Sequence, residues 1–121
     1  MATISIVISA FNAEASLART LASVQWANEI ILVDNQSSDK TAGIARSHGA
    51  KVFQRKNNPM LNVNKNFGFG KASCDWILSL DSDEEIPDIL TREIRNAVET
   101  SDIYGYWIPR KNIIFGKWIQ H

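Results

Sequence analysis

The chain has 121 residues, and its 13 basic and 13 acidic side chains give a formal net charge of zero. A neutral chain that is 45% hydrophobic and 21% charged shows no sign of the basic surface that attracts nucleic acid or an anionic membrane. The single cysteine, Cys74, excludes an internal disulfide and a multi-cysteine zinc site, and the length favours one domain.

The first half of the chain is predicted to alternate buried strands with helices. The strands are short apolar, β-branched runs, typical of strands covered on both faces. The helices repeat apolar residues at helical spacing; the polar residues 34–39 can cap the second of them, and Gly49 is placed to end it. The predicted elements are a strand over 4–10, a helix over 15–24, a strand over 29–33, a helix over 40–48 and a strand over 51–54.

The second half continues this pattern after a loop at residues 55–62. Its first helix is weakened by Gly68 and Gly70, and its second tolerates Pro87 in the first turn. That second helix carries an apolar stripe of Ile86, Leu90, Ile94 and Val98. The predicted elements are a helix over 63–72, a strand over 75–80, a helix from residue 86, and strands over 105–109 and 113–119 around a turn at 110–112.

This alternation predicts an α/β fold with a doubly wound, mainly parallel sheet and right-handed crossovers. In a sheet of strand order 3-2-1-4, the carboxyl ends of strands 1, 2 and 4 lie side by side at the switch point. Those ends carry Phe11-Asn12, Asp34-Asn35 and Asp81-Ser82-Asp83. We therefore predict a ligand site where these polar strand ends converge.

Two aspartates spaced i, i+2 follow the fourth strand. Because side chains alternate along an extended backbone, the carboxylates of Asp81 and Asp83 are expected on one side, about two rises of ~3.3 Å apart. Such a pair suits a hard divalent cation and its phosphate ligands, whereas the alternative is a solvated acidic turn before the next helix. The chain has neither a G-x-G-x-x-G nor a G-x-x-x-x-G-K-[ST] loop, so a carboxylate-held metal is the remaining way to bind a diphosphate.

Four segments resemble, in family order, the motifs of the family 2 glycosyltransferases, whose fold is the GT-A nucleotide-sugar-binding sheet. They fall between residues 4 and 85, and the last resembles the DxD motif of that family. The segments are Ser9-Ala10-Phe11-Asn12, residues 33–41 (Val-Asp-Asn-Gln-Ser-Ser-Asp-Lys-Thr), Lys65-Asn66-Phe67-Gly68 and Asp81-Ser82-Asp83. Asn35 departs from the pattern, because many members have there a second aspartate that contacts the uracil ring; an amide places donors and acceptors differently.

The resemblance implies an inverting transfer from a nucleotide diphosphate sugar, expected to be a UDP-sugar, to a saccharide or lipid-linked acceptor. It implies Mg²⁺ or Mn²⁺ as cofactor, with Asp83 as the metal ligand and Asp81 on the metal through water or on the ribose. Asp34 is expected either at the base or ribose or in a structural turn hydrogen bond, and Lys65 either at the diphosphate or in solvent. The full set of implied nucleotide-sugar-binding residues is Ala10, Phe11, Asn12, Asp34, Asn35, Lys65, Asp81 and Ser82. Asn12 has the alternative role of capping the first helix.

A narrower likeness concerns a bacterial branch with glucosyltransferases of the lipooligosaccharide inner core. It rests on residues 26–31, 80–84, 108–112 and 116–121. It implies a lipopolysaccharide-core acceptor and a protein that is cytoplasmic or peripheral at the inner face of the cytoplasmic membrane. Residues 1–9 lack the basic segment of a secretory signal, and no apolar stretch approaches the ~20 residues of a membrane-spanning helix.

The family continues past this length into an acceptor-binding half that carries the general base. We therefore expect residues 1–121 to form one donor-binding domain, a fragment or a truncated product incomplete at its C-terminus, with the base beyond His121. If a base lies within the chain, Glu84 is the first candidate. The apolar hairpin is expected to self-associate through residues that would lack their family partners, namely Ile113, Ile114, Phe115 and Trp118.

Two other functions compete with this interpretation. One is a non-catalytic nucleotide-sugar-binding or assembly module. The other is a nucleotidyltransferase, which would need a glycine-rich, basic loop after strand 1, whereas residues 11–15 are Phe-Asn-Ala-Glu-Ala.

His48 is interpreted as structural at a helix end, and His121 is an acceptor-side candidate by resemblance alone. The remaining large aromatics are assigned to core and hairpin packing: Trp76, Tyr106, Trp107 and Trp118.

Overall fold

The computed structural model describes residues 3–57, 63–100, 106–108 and 111–115. In chain order the elements are β1 (Ile4–Ala10), α1 (Leu17–Ala22), β2 (Glu29–Asp34), α2 (Thr41–Ser47), β3 (Lys51–Gln54), α3 (Val63–Lys71), β4 (Trp76–Asp81), α4 (Asp88–Thr100), β5 (Tyr106–Ile108) and β6 (Lys111–Phe115). Among the helices of the described ranges, none combines the length and the hydropathy needed to cross a membrane.

The strands form one sheet in the order β3-β2-β1-β4-β6-β5. Every neighbouring pair is parallel except β5 and β6, which are antiparallel at the sheet edge. The predicted α/β fold is therefore confirmed, and so is the order 3-2-1-4 of its first four strands. The right-handed crossover preference and the buried, β-branched character of β1, β2 and β4 explain this arrangement.

Helices cover both faces of the sheet, which is why the central strands show no polar alternation. Alternate residues of β1 point to opposite faces, so Ile6 and Ile8 join one cluster and Val7 joins the other. The larger cluster packs β1, β2 and β4 against α1, α2 and α4. The smaller cluster packs the other face against Phe69 of α3 and Ala72 just after it. Trp76 lies in the larger cluster, as predicted.

The helix ends agree with the predicted signals, with one shift at α4. Gly49 has a positive φ of 82° after α2, and the amide of the next residue donates to the carbonyl of Ala45 at 3.1 Å. Asp39, from the predicted polar cluster, accepts the amide of Thr41 at 2.9 Å. Pro87 precedes α4 instead of lying in its first turn, because its carbonyl already accepts the first helical bond, from the amide of Thr91 at 3.0 Å.

In the C-terminal hairpin, the turn predicted at residues 110–112 is wrong for its last two residues, which lie in a strand. Lys111 and Asn112 belong to β6, where Lys111 pairs with Ile108 and Asn112 pairs with Trp107. These polar residues suggested a turn, but Asn112 also aligns with Trp76 of β4, so the strand extends through it. Residues 105, 109 and 116–119 of the predicted strands lie outside the described residues, as do Trp118 and His121. Self-association through this hairpin stays a prediction.

Gly68 allows α3 to approach the sheet closely, and Gly70 serves as its natural control. A Cβ atom at Gly68 would lie 2.7 Å from Cγ1 of Val7 and 3.0 Å from Cγ2 of Val33, whereas a Cβ at Gly70 meets nothing within 4 Å. We expect Gly68→Ala to lower the free energy of unfolding by about 1–3 kcal/mol through overpacking. Gly70→Ala should raise it by roughly 0.5 kcal/mol, because alanine favours the helix. Urea unfolding of the two variants checks this; equal midpoints would contradict the close approach.

Candidate functional site

The carboxyl ends of β1, β2 and β4 lie side by side at one edge of the sheet, as the sequence predicts, and the end of β3 lies next to that of β2. The register aligns Ala10 with Asp34 across β1 and β2, and Ser9 with Asp81 across β1 and β4. Asp34 in turn aligns with Gln54 at the end of β3. Parallel pairing therefore brings residues from distant parts of the chain to one edge, which we call the carboxyl edge.

The loops that follow β1 and β2 are joined to each other at this edge. The amide of Asn12 donates to Oγ of Ser37 at 2.8 Å, and Oδ1 of Asn12 accepts the amide of Ser38 at 2.8 Å. Asn12 has a positive φ of 48°, which asparagine tolerates better than most residues. Its side chain therefore bridges two loops, and the capping of α1 that we considered for it is not observed. Contact between Asn12 and a nucleotide stays a prediction.

A second pair of contacts completes the junction between these loops. The amide of Ala13 donates to the Thr41 hydroxyl at 2.9 Å, and the amide of Glu14 donates to Oδ2 of Asp39 at 3.1 Å. The hydrogen bond from the Thr41 side chain is the main reason that the pKa of Asp39 is lowered. Next to this junction Phe11 leaves half of its surface exposed, at 51%, whereas Ala10 is buried. An exposed aromatic ring thus stands beside a rigid loop pair.

Asp34 and Asn35 are both buried at the end of β2, but they are bonded differently. The Asp34 carboxylate, 1% exposed as a residue, accepts the amide of Ser37 at 3.2 Å and Nε2 of Gln54 at 3.4 Å. Nδ2 of Asn35 donates to the Ser9 hydroxyl at 2.9 Å and to the Ala10 carbonyl at 3.0 Å. In this chain the amide at position 35 donates to that carbonyl, a hydrogen bond that a carboxylate could not make.

Asn64 is a residue of this site that the sequence analysis did not identify. It is buried in the first turn of α3, where its Nδ2 donates to Oδ1 of Asn35 and to the carbonyl of Lys56 at 3.1 Å. Asn64 therefore links α3 to the end of β2 and to the segment after β3. Its contact with Asn35 joins residues 29 positions apart, and no spacing pattern signals such a pair.

Of the two aspartates, Asp81 ends β4 and Asp83 lies on the turn that follows, which corrects the predicted extended backbone at Asp83. Ser82 and Asp83 form this turn. The amide of Glu84 donates to the carbonyl of Asp81 at 3.1 Å, while the Glu84 carboxylate accepts the amide of Asp81 at 2.8 Å. Because Glu84 closes the chain back on β4, the alternation of an extended strand does not reach Asp83. The turn therefore sets the direction of the Asp83 carboxylate, whereas Asp81 is still held by β4.

Lys65 lies beside the first of these carboxylates. Its Nζ is 3.3 Å from Oδ1 of Asp81, with 27% of the lysine side chain and 40% of the aspartate side chain exposed. This contact places Lys65 at the carboxyl edge, and its contact with a diphosphate stays a prediction. The ion pair itself contributes little to stability, because both groups remain in contact with water.

The carboxylates at the carboxyl edge suit a divalent cation whose remaining ligands come from a substrate and from water. Within the described ranges, no three His, Cys, Asp or Glu side chains are grouped so that they could hold a metal ion. Mg²⁺ and similar ions in phosphate sites use one or two carboxylates, with phosphate oxygens and water as the other ligands. Asp83, which is exposed, and Asp81, which is partly exposed, supply carboxylates of this kind.

Known proteins share the sequence pattern of this chain. The family described as "Glycosyl transferase family 2" matches residues 5–121. An uncharacterized glycosyltransferase of Rickettsia typhi is 41% identical over 86 residues, which are 69% of this chain and 28% of that protein. The lipopolysaccharide core biosynthesis glycosyltransferase LpsC of Rhizobium meliloti is 26% identical over 110 residues, 87% of this chain and 41% of that protein. The chain thus spans well under half of either relative.

Two solved structures confirm the GT-A fold that the sequence predicts. Residues 1–349 of S. aureus TarS superpose with a TM-score of 0.73 at 21% identity, over 81% of this chain and 32% of that one. Glucosyl-3-phosphoglycerate synthase of Mycobacterium tuberculosis, crystallised with Mn²⁺, UDP and glucosyl-3-phosphoglycerate, superposes with a TM-score of 0.68 at 24% identity, over 80% and 39% of the two chains. At this identity the likeness establishes the fold alone.

Proposed function

The chain belongs to glycosyltransferase family 2, and from that premise we propose that its carboxyl edge binds the nucleotide of a UDP-sugar for transfer to a saccharide or lipid-linked acceptor. The observation that carries this proposal is the convergence of Phe11, Asp34, Asp81 and the turn that bears Asp83. Along this edge, the exposed ring of Phe11 suits a base, the buried carboxylate of Asp34 suits a ribose, and the acidic turn suits a diphosphate.

The nucleoside end is assigned to Phe11 and Asp34. Phe11 offers an exposed ring on which a base can stack. The contacts of the Asp34 carboxylate, at 3.2 and 3.4 Å, leave lone pairs for a base N–H or a ribose hydroxyl. Asn35 contributes by holding the ends of β1 and β2 together, since its amide group already bonds Ser9, Ala10 and Asn64.

The diphosphate end is assigned to the turn after β4. Asp83 and Asp81 would hold Mg²⁺ or Mn²⁺, and Lys65 would add a positive charge beside them. When bound, the cation neutralises the charge that develops on the departing diphosphate, a contribution of several kcal/mol. The presence of Mn²⁺ and UDP in the mycobacterial synthase supports this assignment.

The acceptor is proposed from a relative and not from the site, because the likeness to LpsC supports a lipopolysaccharide-core acceptor. We propose a cytoplasmic protein, or one at the inner face of the cytoplasmic membrane, on the sequence resemblance alone. No residue of this chain is assigned as the group that removes the acceptor proton. The relatives are much longer than this chain, and we propose that in those relatives the group lies in the sequence after the matched region. The alternative, a non-catalytic binding module, predicts the same donor binding. A sugar-transfer assay on this chain tests the alternative, because transfer by the chain would exclude a non-catalytic module.

Calorimetric titration with UDP tests the proposed donor site. We expect saturable binding with Mn²⁺ that weakens by at least roughly tenfold with EDTA, because without the cation the negative diphosphate would face the carboxylates of Asp81 and Asp83. Uridine is the matched control: it lacks the diphosphate, so its affinity should not respond to Mn²⁺. UDP binding of equal strength in both buffers would contradict the metal assignment, and no binding in either would contradict the proposed function.

A further inference from the structure

Helix α1 and its two flanking residues place three hydroxyl side chains against the segment that follows β4. They are Ser16, Thr20 and Ser23, which we call the hydroxyl row. A spacing of four and then three residues puts all three on one side of a helix. Thr20 is completely buried and Ser16 and Ser23 are partly buried. The row therefore faces the protein and not the solvent.

Two members of the row bind a single carbonyl group, that of Ser82. Oγ of Ser16 donates to it at 3.0 Å and Oγ1 of Thr20 donates to it at 2.9 Å. Thr20 also lies 3.4 Å from the carbonyl of Ser16 in its own helix. Since a hydroxyl carries one proton, the closer partner receives it, and that partner is Ser82. Both lone pairs of the Ser82 carbonyl are thereby used.

The third member fixes the far end of the same segment. Oγ of Ser23 accepts the amide of Ile86 at 3.0 Å and donates to the carbonyl of Thr20 at 2.7 Å. Arg19 and Glu85 also pair at 3.1 Å, but both side chains are largely exposed, so this pair contributes little. The backbone from Ser82 to Ile86 is therefore anchored at both ends by α1.

We propose that Ser16 and Thr20 are positioning residues for the cation and diphosphate, an inference that rests on the proposed function. The Ser82 carbonyl belongs to the peptide that joins Ser82 to Asp83, so fixing it limits the directions that the Asp83 carboxylate can take, while Asp81 is held by β4. A turn held in one conformation loses less conformational freedom when a ligand binds, which strengthens binding. Ser16 and Thr20 thus act through Asp83 without touching the ligand.

The test compares variants of the 121-residue chain in titrations with UDP, once with Mn²⁺ and once with EDTA. Calorimetry measures the titrations with Mn²⁺, and amide ¹H–¹⁵N shifts follow the titrations with EDTA, so that weak, metal-free affinities are measured as well. We expect Thr20→Val and Ser16→Ala each to weaken the Mn²⁺-dependent affinity roughly three- to tenfold, the factor typical of one lost hydrogen bond. Affinity in EDTA should stay within twofold. Thr20→Ser keeps the hydroxyl and should restore the affinity.

Ser47→Ala is the matched control, because its hydroxyl bonds a carbonyl of its own helix, that of Ile44, at 2.7 Å. If the unmodified chain does not bind UDP in either buffer, the proposed function is overturned and this inference with it. If it binds UDP equally in both buffers, the metal assignment and this inference are overturned, and the proposed nucleotide binding stands. If the chain binds but both variants match Ser47→Ala, or lose equal affinity in the two buffers, the positioning role alone is overturned. Should Thr20→Val fail to fold, Ser16→Ala carries the comparison, because its side chain is only partly buried.

Discussion

Replacing Asp83 with asparagine should remove most of the Mn²⁺-dependent affinity for UDP, by roughly 10- to 100-fold, because a charged ligand of the cation becomes a neutral one. The substitution preserves shape, and Asp83 is exposed on a turn whose backbone is closed by Glu84. We therefore expect the free energy of unfolding to change by less than about 0.5 kcal/mol, as for other surface substitutions. Calorimetry with and without EDTA measures the first effect, and urea unfolding measures the second.

Glu93→Gln is the control for this substitution, because it makes the same change of charge at an exposed position of α4. It should leave the affinity for UDP unchanged in both buffers. A variant Asp83→Asn that keeps the full response to Mn²⁺ would show that Asp83 does not bind the cation. The acidic turn would then be the solvated feature that the sequence also allows.

The second large effect concerns stability in acid and arises at the opposite edge of the sheet. The Glu29 carboxylate, with 5% of the side chain exposed, accepts hydrogen bonds from Nζ of Lys51 at 2.7 Å and from the Ser5 hydroxyl at 2.7 Å. It also accepts the amide of Ser73 at 2.9 Å and the hydroxyl of Ser73 at 3.1 Å. Burial raises the pKa of Glu29, but these bonds outweigh it and hold the pKa at about 2, against 4.5 ordinarily.

A carboxyl group whose pKa is lowered by folding contributes stability above its unfolded pKa and loses it as the pH falls through the folded value. For Glu29 this window runs from about pH 5 down to about pH 2. The lowered pKa of Glu29 contributes about 2–3 kcal/mol to the free energy of unfolding at neutral pH. The lower value allows for solvent screening of the exposed Lys51 partner. Glu29→Gln should therefore be less stable than the parent by about this amount at pH 7.

Urea unfolding at pH 7, 4 and 3 checks the Glu29 prediction. The difference in unfolding free energy between the parent and Glu29→Gln should shrink by about half or more by pH 3, because the unfolded parent becomes protonated first. Glu93→Gln, on the exposed face of α4, should show little difference at any of these pH values. A difference for Glu29→Gln that is constant with pH would contradict the lowered pKa.

The sequence was sufficient to predict the elements that local pattern controls. The apolar runs of β1, β2 and β4 indicate buried parallel strands, and the rules of doubly wound sheets then bring Asp34 and Asp81 together. Gly49 predicts a helix end because its backbone conformation is one that side chains disfavour. The strand ends of the site follow from topology alone.

The parts that could not be predicted depend on contacts between distant side chains. The extended-strand argument fails after Asp81 because Glu84 bonds back to its amide, a contact that alternation does not signal. The bond from Asn64 to Asn35 spans 29 positions, and the bond from Thr20 to Ser82 spans 62. Such polar contacts can be recognised only when the sheet has already brought the partners together.

The most direct test of the donor site is the position of Mn²⁺ in crystals of the chain grown with UDP and MnCl₂. Anomalous scattering locates the ion independently of the interpretation of the nucleotide density. We predict one strong peak within about 2.3 Å of a carboxylate oxygen of Asp83, the range of oxygen ligands, and between that residue and the diphosphate, with uracil against Phe11. A peak bound to neither Asp83 nor Asp81, or UDP seated away from the carboxyl edge, would contradict the account.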